Sequence, residues 1–146
     1  MGNETKLNQR ILHLMRHNNS NRILGQRVET GVTGLGVPDI FFRSRRCDGW
    51  IESKAFAWPT LKETYIKIPY RPGQLGWISL YREKGGKVFL VCLIDNGRLS
   101  GEVFCFEGYS IQEVYSQKQM IDLNCGRFDI GRLVSDDRFL EMLDNK

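Results

Sequence analysis

The sequence predicts an α/β domain, a mixed β-sheet with helices packed on it. Three observations predict it. Leu7, Ile11, Leu14 and Met15 recur at helical spacing near the start of the chain, with Lys6, Gln9, Arg10 and Arg16 between them. Two short apolar runs then follow closely, PDIFF at 38–42 and GWIESKA at 49–55. Later, KVFLVCLI at 87–94 is nearly continuous in apolar residues, as expected of a strand buried on both faces.

The first helix is expected over 4–17, where Asn18, Asn19, Ser20 and Asn21 stop it. Residues 22–30 read as a first strand with weak alternation, and TGVTGLG at 30–36 as a Gly-rich connection. Gly31, Gly34 and Gly36 precede a strand rather than a helix, so they do not form a dinucleotide fingerprint. PDIFF and GWIESKA are the second and third strands, joined by a basic turn at 43–48. Residues 56–71 fit neither period and read as a long excursion, a length often tied to function. Pro72 suits the first position of a helix running to Lys84, and Gly85-Gly86 ends it. After the 87–94 strand, Asp95-Asn96-Gly97 reads as a turn and 102–106 as another strand. Short helices are expected at 110–115 and 136–144.

A chain of 146 residues is expected to form one domain, 1–146, large enough for a core without disulfides. The core elements occupy about 4–107, and 108–146 is a C-terminal extension. A formal net charge of +4 suits a polyanionic partner. Cysteines at 47, 92, 105 and 125 contain no Cys-x-x-Cys clamp, which excludes a zinc ribbon. Cys92 and Cys105 fall in apolar runs and read as buried core thiols, consistent with a reducing cytoplasm. The first residues are polar and make no secretory signal, and no apolar run approaches membrane-spanning length, so no membrane association is expected.

Asp39, Glu52 and Lys54 carry the chemistry. If the second and third strands pair antiparallel, the two carboxylates and the ammonium converge at one edge of the sheet. Glu52 and Lys54 are two apart, so in a strand they share a face. Two carboxylates suit a hard cation such as Mg2+, with the Ser53 main-chain carbonyl as a further neutral oxygen ligand. Held against a phosphodiester, such an ion polarises the phosphate and acidifies a bound water. Lys54 is placed to orient that water or to neutralise developing charge.

The pattern Pro38-Asp39, twelve residues, then Glu52-Ser53-Lys54 resembles the signature of the PD-(D/E)XK nuclease superfamily. The element order helix, three strands, helix, strand also resembles that superfamily's restriction-endonuclease-like core. The stretch YRPGQLGWISLYREKGGKVFLVCL at 70–93 is similar to the segment after the signature in phage-type and VRR-NUC-like members. The likeness covers about residues 4–94. It implies a metal-dependent DNA endonuclease using Mg2+, with Mn2+ able to substitute. Asp39 and Glu52 would be the metal ligands, with Lys54 and Gln74 completing the catalytic set. The size is similar to that of Holliday-junction resolvases, while sequence-specific homing or restriction-type enzymes and an inactive nucleic-acid-binding module are the alternatives. The resemblance further implies duplex or branched DNA as partner, a homodimer or higher oligomer, and a cytoplasmic, nucleoid-associated setting in a bacterium or phage-infected host.

Members of the superfamily often carry one more acid from the first helix. Here Glu4, in that helix, and Glu29, at the end of the first strand, are the two candidates. Each also reads as a plain surface carboxylate. Arg43, Arg45, Arg46, Lys62, Lys67 and Arg71 are the expected DNA contacts, and Trp58, Tyr65 and Tyr70 lie among the later ones. Trp50 and Trp77 read as core residues. His13 and His17 share one side of the first helix, but HLMRH lacks the Glu of a zincin motif, so a surface or phosphate-contacting pair is favoured.

Overall fold

The computed structural model describes residues 3–17, 23–28, 36–60, 64–133 and 137–145. Among the described residues, six strands form the central sheet: β1 (Leu24–Arg27), β2 (Ile40–Arg43), β3 (Asp48–Ala57), β5 (Val88–Asn96), β6 (Glu102–Glu107) and β8 (Gly126–Asp129), in spatial order β1-β2-β3-β5-β6-β8. Among these described strands, only the β3–β5 pair is parallel. A parallel pair needs a crossover connection. Here β4 (Tyr65–Lys67) and helix α2 (Gln74–Glu83) supply it.

Both faces of the sheet are covered, and β5 shows why its sequence is apolar throughout. Its Phe89, Val91 and Leu93 join a core built with Leu7, Ile11, Leu14 and Met15 of α1 (Asn3–Arg16) and Phe139, Leu140 and Leu143 of α4 (Asp137–Asp144). Its Val88, Leu90, Cys92 and Ile94 join a second core on the other face. That core includes Ile78 of α2, Tyr115 of β7 (Val114–Ser116) and Met120 of α3 (Gln117–Leu123). A strand alternates its side chains between faces, so a strand sandwiched this way has no polar side.

The hairpin β2–β3 sets the position of the charged residues. Its antiparallel register runs from Arg43↔Asp48 to Ile40↔Ile51 and stops just after Asp39. β3 continues beyond that point beside β5, with Glu52 opposite Leu90 and Lys54 opposite Cys92. Residues 52–54 therefore occupy the stretch of β3 where β2 has ended. The crossover returns α2 to this place through Gly73, whose φ of 88° suits glycine. A Cβ on Gly36 would meet the Gly73 carbonyl at 2.4 Å, so these two turns pack backbone to backbone.

Several sequence expectations shift. α2 begins at Gln74, after a turn containing Pro72. β5 runs through Asp95 and Asn96, so the turn lies beyond them at 97–101. The helix expected at 110–115 is absent: a 3-10 turn at Gly108–Ser110 leads into β7, which pairs with β4 in a small second sheet. The actual helix, α3, starts with a capping box between Ser116 and Gln119, a Ser-x-x-Gln signal present in the sequence. Part of the excursion expected at 56–71 is ordered as the end of β3 and as β4. β8 was not anticipated. Among the described residues, no helix is long and apolar enough to cross a membrane.

Candidate active site

Asp39, Glu52, Lys54 and Gln74 meet in a nearly dry pocket of the sheet edge, at 6%, 0%, 1% and 2% exposure. Charged groups are seldom buried so completely unless paired. Here the pairing is specific. The Ser53 backbone N–H donates to Asp39 Oδ2 at 3.0 Å, which fixes Asp39 to the part of β3 that β2 leaves unpaired. Within a strand, a residue's N–H and C=O point to the same side. The Ser53 carbonyl thus faces the Asp39 edge as well.

Lys54 Nζ lies 3.3 Å from Glu52 Oε2 and donates to Gln74 Oε1 at 2.8 Å. Gln74 Nε2 in turn donates to both Glu52 oxygens at 3.2 Å. Its Oε1 also accepts from the Arg71 backbone N–H at 2.7 Å. One amide thus spans the acid, the base and the chain segment before α2. The Tyr70 ring backs the ammonium at 6.0 Å, and its hydroxyl donates to the Gln112 carbonyl at 3.1 Å.

A third carboxylate joins the two. Glu4, in the first turn of α1, brings a carboxylate oxygen to Asp39 and Glu52, and one oxygen from each of the three lies within 4.8 Å of the others. Of the two candidate acids named from sequence, Glu4 is half-buried beside the other carboxylates rather than a plain surface carboxylate. Glu29 and Lys62 lie outside the described residues. On the solvent side, Glu4 accepts from Arg71 at 3.5 Å.

Crowding of carboxylates in a largely buried site has an electrostatic consequence. Burial, then the neighbouring Asp39 charge, push the Glu52 carboxyl up to about 8, against the opposing pull of Lys54. Burial also raises Glu4; Lys54 opposes this, Asp39 adds to it, and Arg71 and Arg27 oppose it. Without a cation Glu52 therefore favours its protonated form near neutral pH. Three convergent carboxylates, with a backbone carbonyl on the same edge, fit a hard, oxygen-seeking divalent cation rather than a thiophilic one.

The other expected contacts are more scattered. Arg71 is at the site. Arg43 is at the far end of β2 from Asp39, about 13 Å away at strand rise, where it pairs with Asp48 at 3.0 Å. Arg45 and Arg46 are exposed in the same distal turn. Lys67 is exposed on β4. Of the aromatics, Tyr65 is exposed, whereas Trp58 is buried and stacks on Phe104. Trp50 and Trp77 are half-buried and meet edge to face at 5.6 Å. Sequence reasoning did not single out Arg27 or the Tyr70–Lys54 contact. Neither has a local pattern that would mark it.

No protein-family model matches the chain, and no curated protein matches it by sequence. Comparison of folds does find similar structures. The structure of Archaeoglobus fulgidus Hjc, a Holliday junction resolvase from an archaeal hyperthermophile, aligns with a TM-score of 0.54 at 14% identity, over 90% of this chain and 99% of that one. The likeness is one of fold: a restriction-endonuclease-like α/β core with a mixed central sheet flanked by helices, as expected from the sequence.

Proposed function

We propose that the chain is a divalent-metal-dependent DNA endonuclease of the PD-(D/E)XK type, acting on branched DNA as Holliday-junction resolvases do. The observation that carries this reading is the convergence of Glu4, Asp39 and Glu52 on one point, with Lys54 held beside them by Gln74. Fold likeness to a Holliday junction resolvase supports it.

Asp39, Glu52 and Glu4 would hold Mg2+, or Mn2+ in its place, with the Ser53 carbonyl as a neutral ligand. When bound, the cation polarises the scissile phosphate and lowers the pKa of a water. The chain's own groups do the rest. Lys54 is fixed by two partners and presents a localised positive charge where negative charge develops in the transition state. Gln74 holds Lys54 and Glu52 in register, so their relative positions need no reorganisation during the reaction. Arg71 exchanges its exposed contact with Glu4 for a substrate phosphate. Cutting two strands symmetrically requires two such sites, which a homodimer supplies. In a bacterium or phage-infected host, the reaction would take place in the cytoplasm, at the nucleoid.

The test is cleavage of end-labelled linear duplex, single strand and four-way junction, with Mg2+ or with chelator. Metal-dependent cutting concentrated at the junction is expected. Absence of cutting on every substrate removes the enzyme reading, and binding without cutting favours a module that has kept the fold alone. Cutting at one duplex sequence selects a homing or restriction-type enzyme. Glu52→Ala and Lys54→Ala should abolish cleavage while leaving DNA binding largely intact.

A further inference from the structure

The outer face of α1 carries a charge pattern that the proposed site does not use. Lys6, Arg10, His13 and His17 are spaced four, three and four residues apart. At 3.6 residues per turn they fall within about 60° of arc and extend about 16 Å along the helix. Lys6, His13 and His17 are exposed and Arg10 is half-exposed. The two imidazole rings lie 4.4 Å apart. Lys6, Arg10 and His13, with Gln9, line a shallow cleft of about 390 Å³.

This is not the composition of an ordinary solvated helix face. Such faces mix signs, because opposite charges four residues apart stabilise a helix and like charges destabilise it. Here Lys6 and Arg10 are like charges at that spacing, and none of the four residues has an acidic partner among the described residues. The helix dipole favours Arg16 in the last turn but disfavours Lys6 in the first. Glu4, the helix's one acid, is turned to the opposite side to join Asp39 and Glu52. The helix thus sends its negative charge to the site and leaves its outer face cationic.

We infer that the row Lys6–Arg10–His13–His17 is a contact for the phosphate backbone of duplex DNA, engaging an arm of the substrate that lies outside the cleavage site. The inference rests on the proposed nuclease reading. A row about 16 Å long matches the axial rise of four to five phosphates on one strand, at about 3.4 Å each. Lysine and arginine supply charge, and imidazole N–H groups supply further donors to phosphate oxygens.

The experiment is fluorescence anisotropy of a labelled 30-base-pair duplex and a four-way junction, in EDTA, across a series of NaCl concentrations. Wild type is compared with Lys6→Ala/Arg10→Ala and with Lys84→Ala/Lys118→Ala, which removes the same charge from exposed positions elsewhere. Losing two phosphate contacts should flatten the plot of log K against log salt by about 1.8 and weaken binding about tenfold or more at low salt. His13→Ala/His17→Ala should weaken binding further on that background. The Lys84/Lys118 control should keep the wild-type slope, and circular dichroism should show an intact α1 in each variant. If wild type cuts and binds DNA but Lys6→Ala/Arg10→Ala follows the control, the α1 contact is overturned and the nuclease reading stands. If wild type neither binds nor cuts any DNA, both fall together.

Discussion

Gln74 Oε1 accepts the Lys54 ammonium at 2.8 Å, and that bond ties the start of α2 to the charged stretch of β3. The same amide donates to Glu52, so its removal leaves a buried ammonium and a buried carboxylate each short of a partner. A hydrogen bond to a charged group is worth about 1.5–3 kcal/mol. Gln74→Ala should therefore slow cleavage by about 10- to 100-fold, less than Glu52→Ala or Lys54→Ala, and should also lower the unfolding free energy. Single-turnover cleavage rates decide this, and an unchanged rate would remove Gln74 from the site.

Glu52 makes an unusual stability prediction. Its folded-state carboxyl is raised to about 8 from an ordinary 4.5, first by burial and then by Asp39. Between those values the folded protein holds a proton that the unfolded chain has released. Stability of the metal-free protein should thus fall as pH rises from about 4.5 to 8 and level off above. Glu52→Gln keeps the shape and removes the titration, so at pH 8 without metal it should be more stable than wild type, on the order of a few kcal/mol at most. At pH 4.5 the two should be close. Chemical denaturation in EDTA at both pH values measures this, and equal curves at pH 8 would contradict it.

The same proton links metal binding to pH. A cation that takes Glu52 as a ligand must displace the proton held near neutrality, so Mg2+ or Mn2+ affinity should rise from pH 6 to pH 8. Titration calorimetry in buffers of different ionisation enthalpy should detect proton release at pH 7 that is absent in Glu52→Gln. Affinity independent of pH in this range would mean that the cation binds elsewhere.

The parts that were legible in sequence share one property: they are encoded locally. Asp39, Glu52 and Lys54 belong to one hairpin, and strand alternation alone puts Glu52 and Lys54 on a common face. The apolar run of β5 announced burial on both sides. Gln74 was reached through the resemblance of its segment, since a polar residue opening a helix carries no signal of its own. The helix expected at 110–115 gives way to a turn end, irregular chain and the start of β7, because three strand residues give no measurable period and the partner β4 lies far back in the chain. Arg43, Arg45 and Arg46 are close to the site in sequence, but the hairpin carries them to its opposite end. Glu4 is the clearest case. Nothing in its neighbourhood says where α1 begins relative to β3, because that depends on how Leu7, Ile11, Leu14 and Met15 seat the helix on the sheet.

The docking of α1 therefore makes Glu4 separable from Glu29 by experiment. Glu4 lies with Asp39 and Glu52, so Glu4→Ala should weaken Mn2+ binding about 10- to 100-fold, as losing a supporting group at a metal site does. Arg71→Ala should act in the opposite sense on metal binding, since it frees Glu4 from its ion pair at 3.5 Å, though it should weaken DNA binding. Glu29→Ala should leave Mn2+ affinity at the wild-type value. Electron paramagnetic resonance titration of Mn2+ on the four proteins separates these outcomes. If Glu29→Ala lowers the affinity and Glu4→Ala does not, the third ligand has been assigned to the wrong residue, while the Asp39–Glu52–Lys54 centre would still be tested by its own variants.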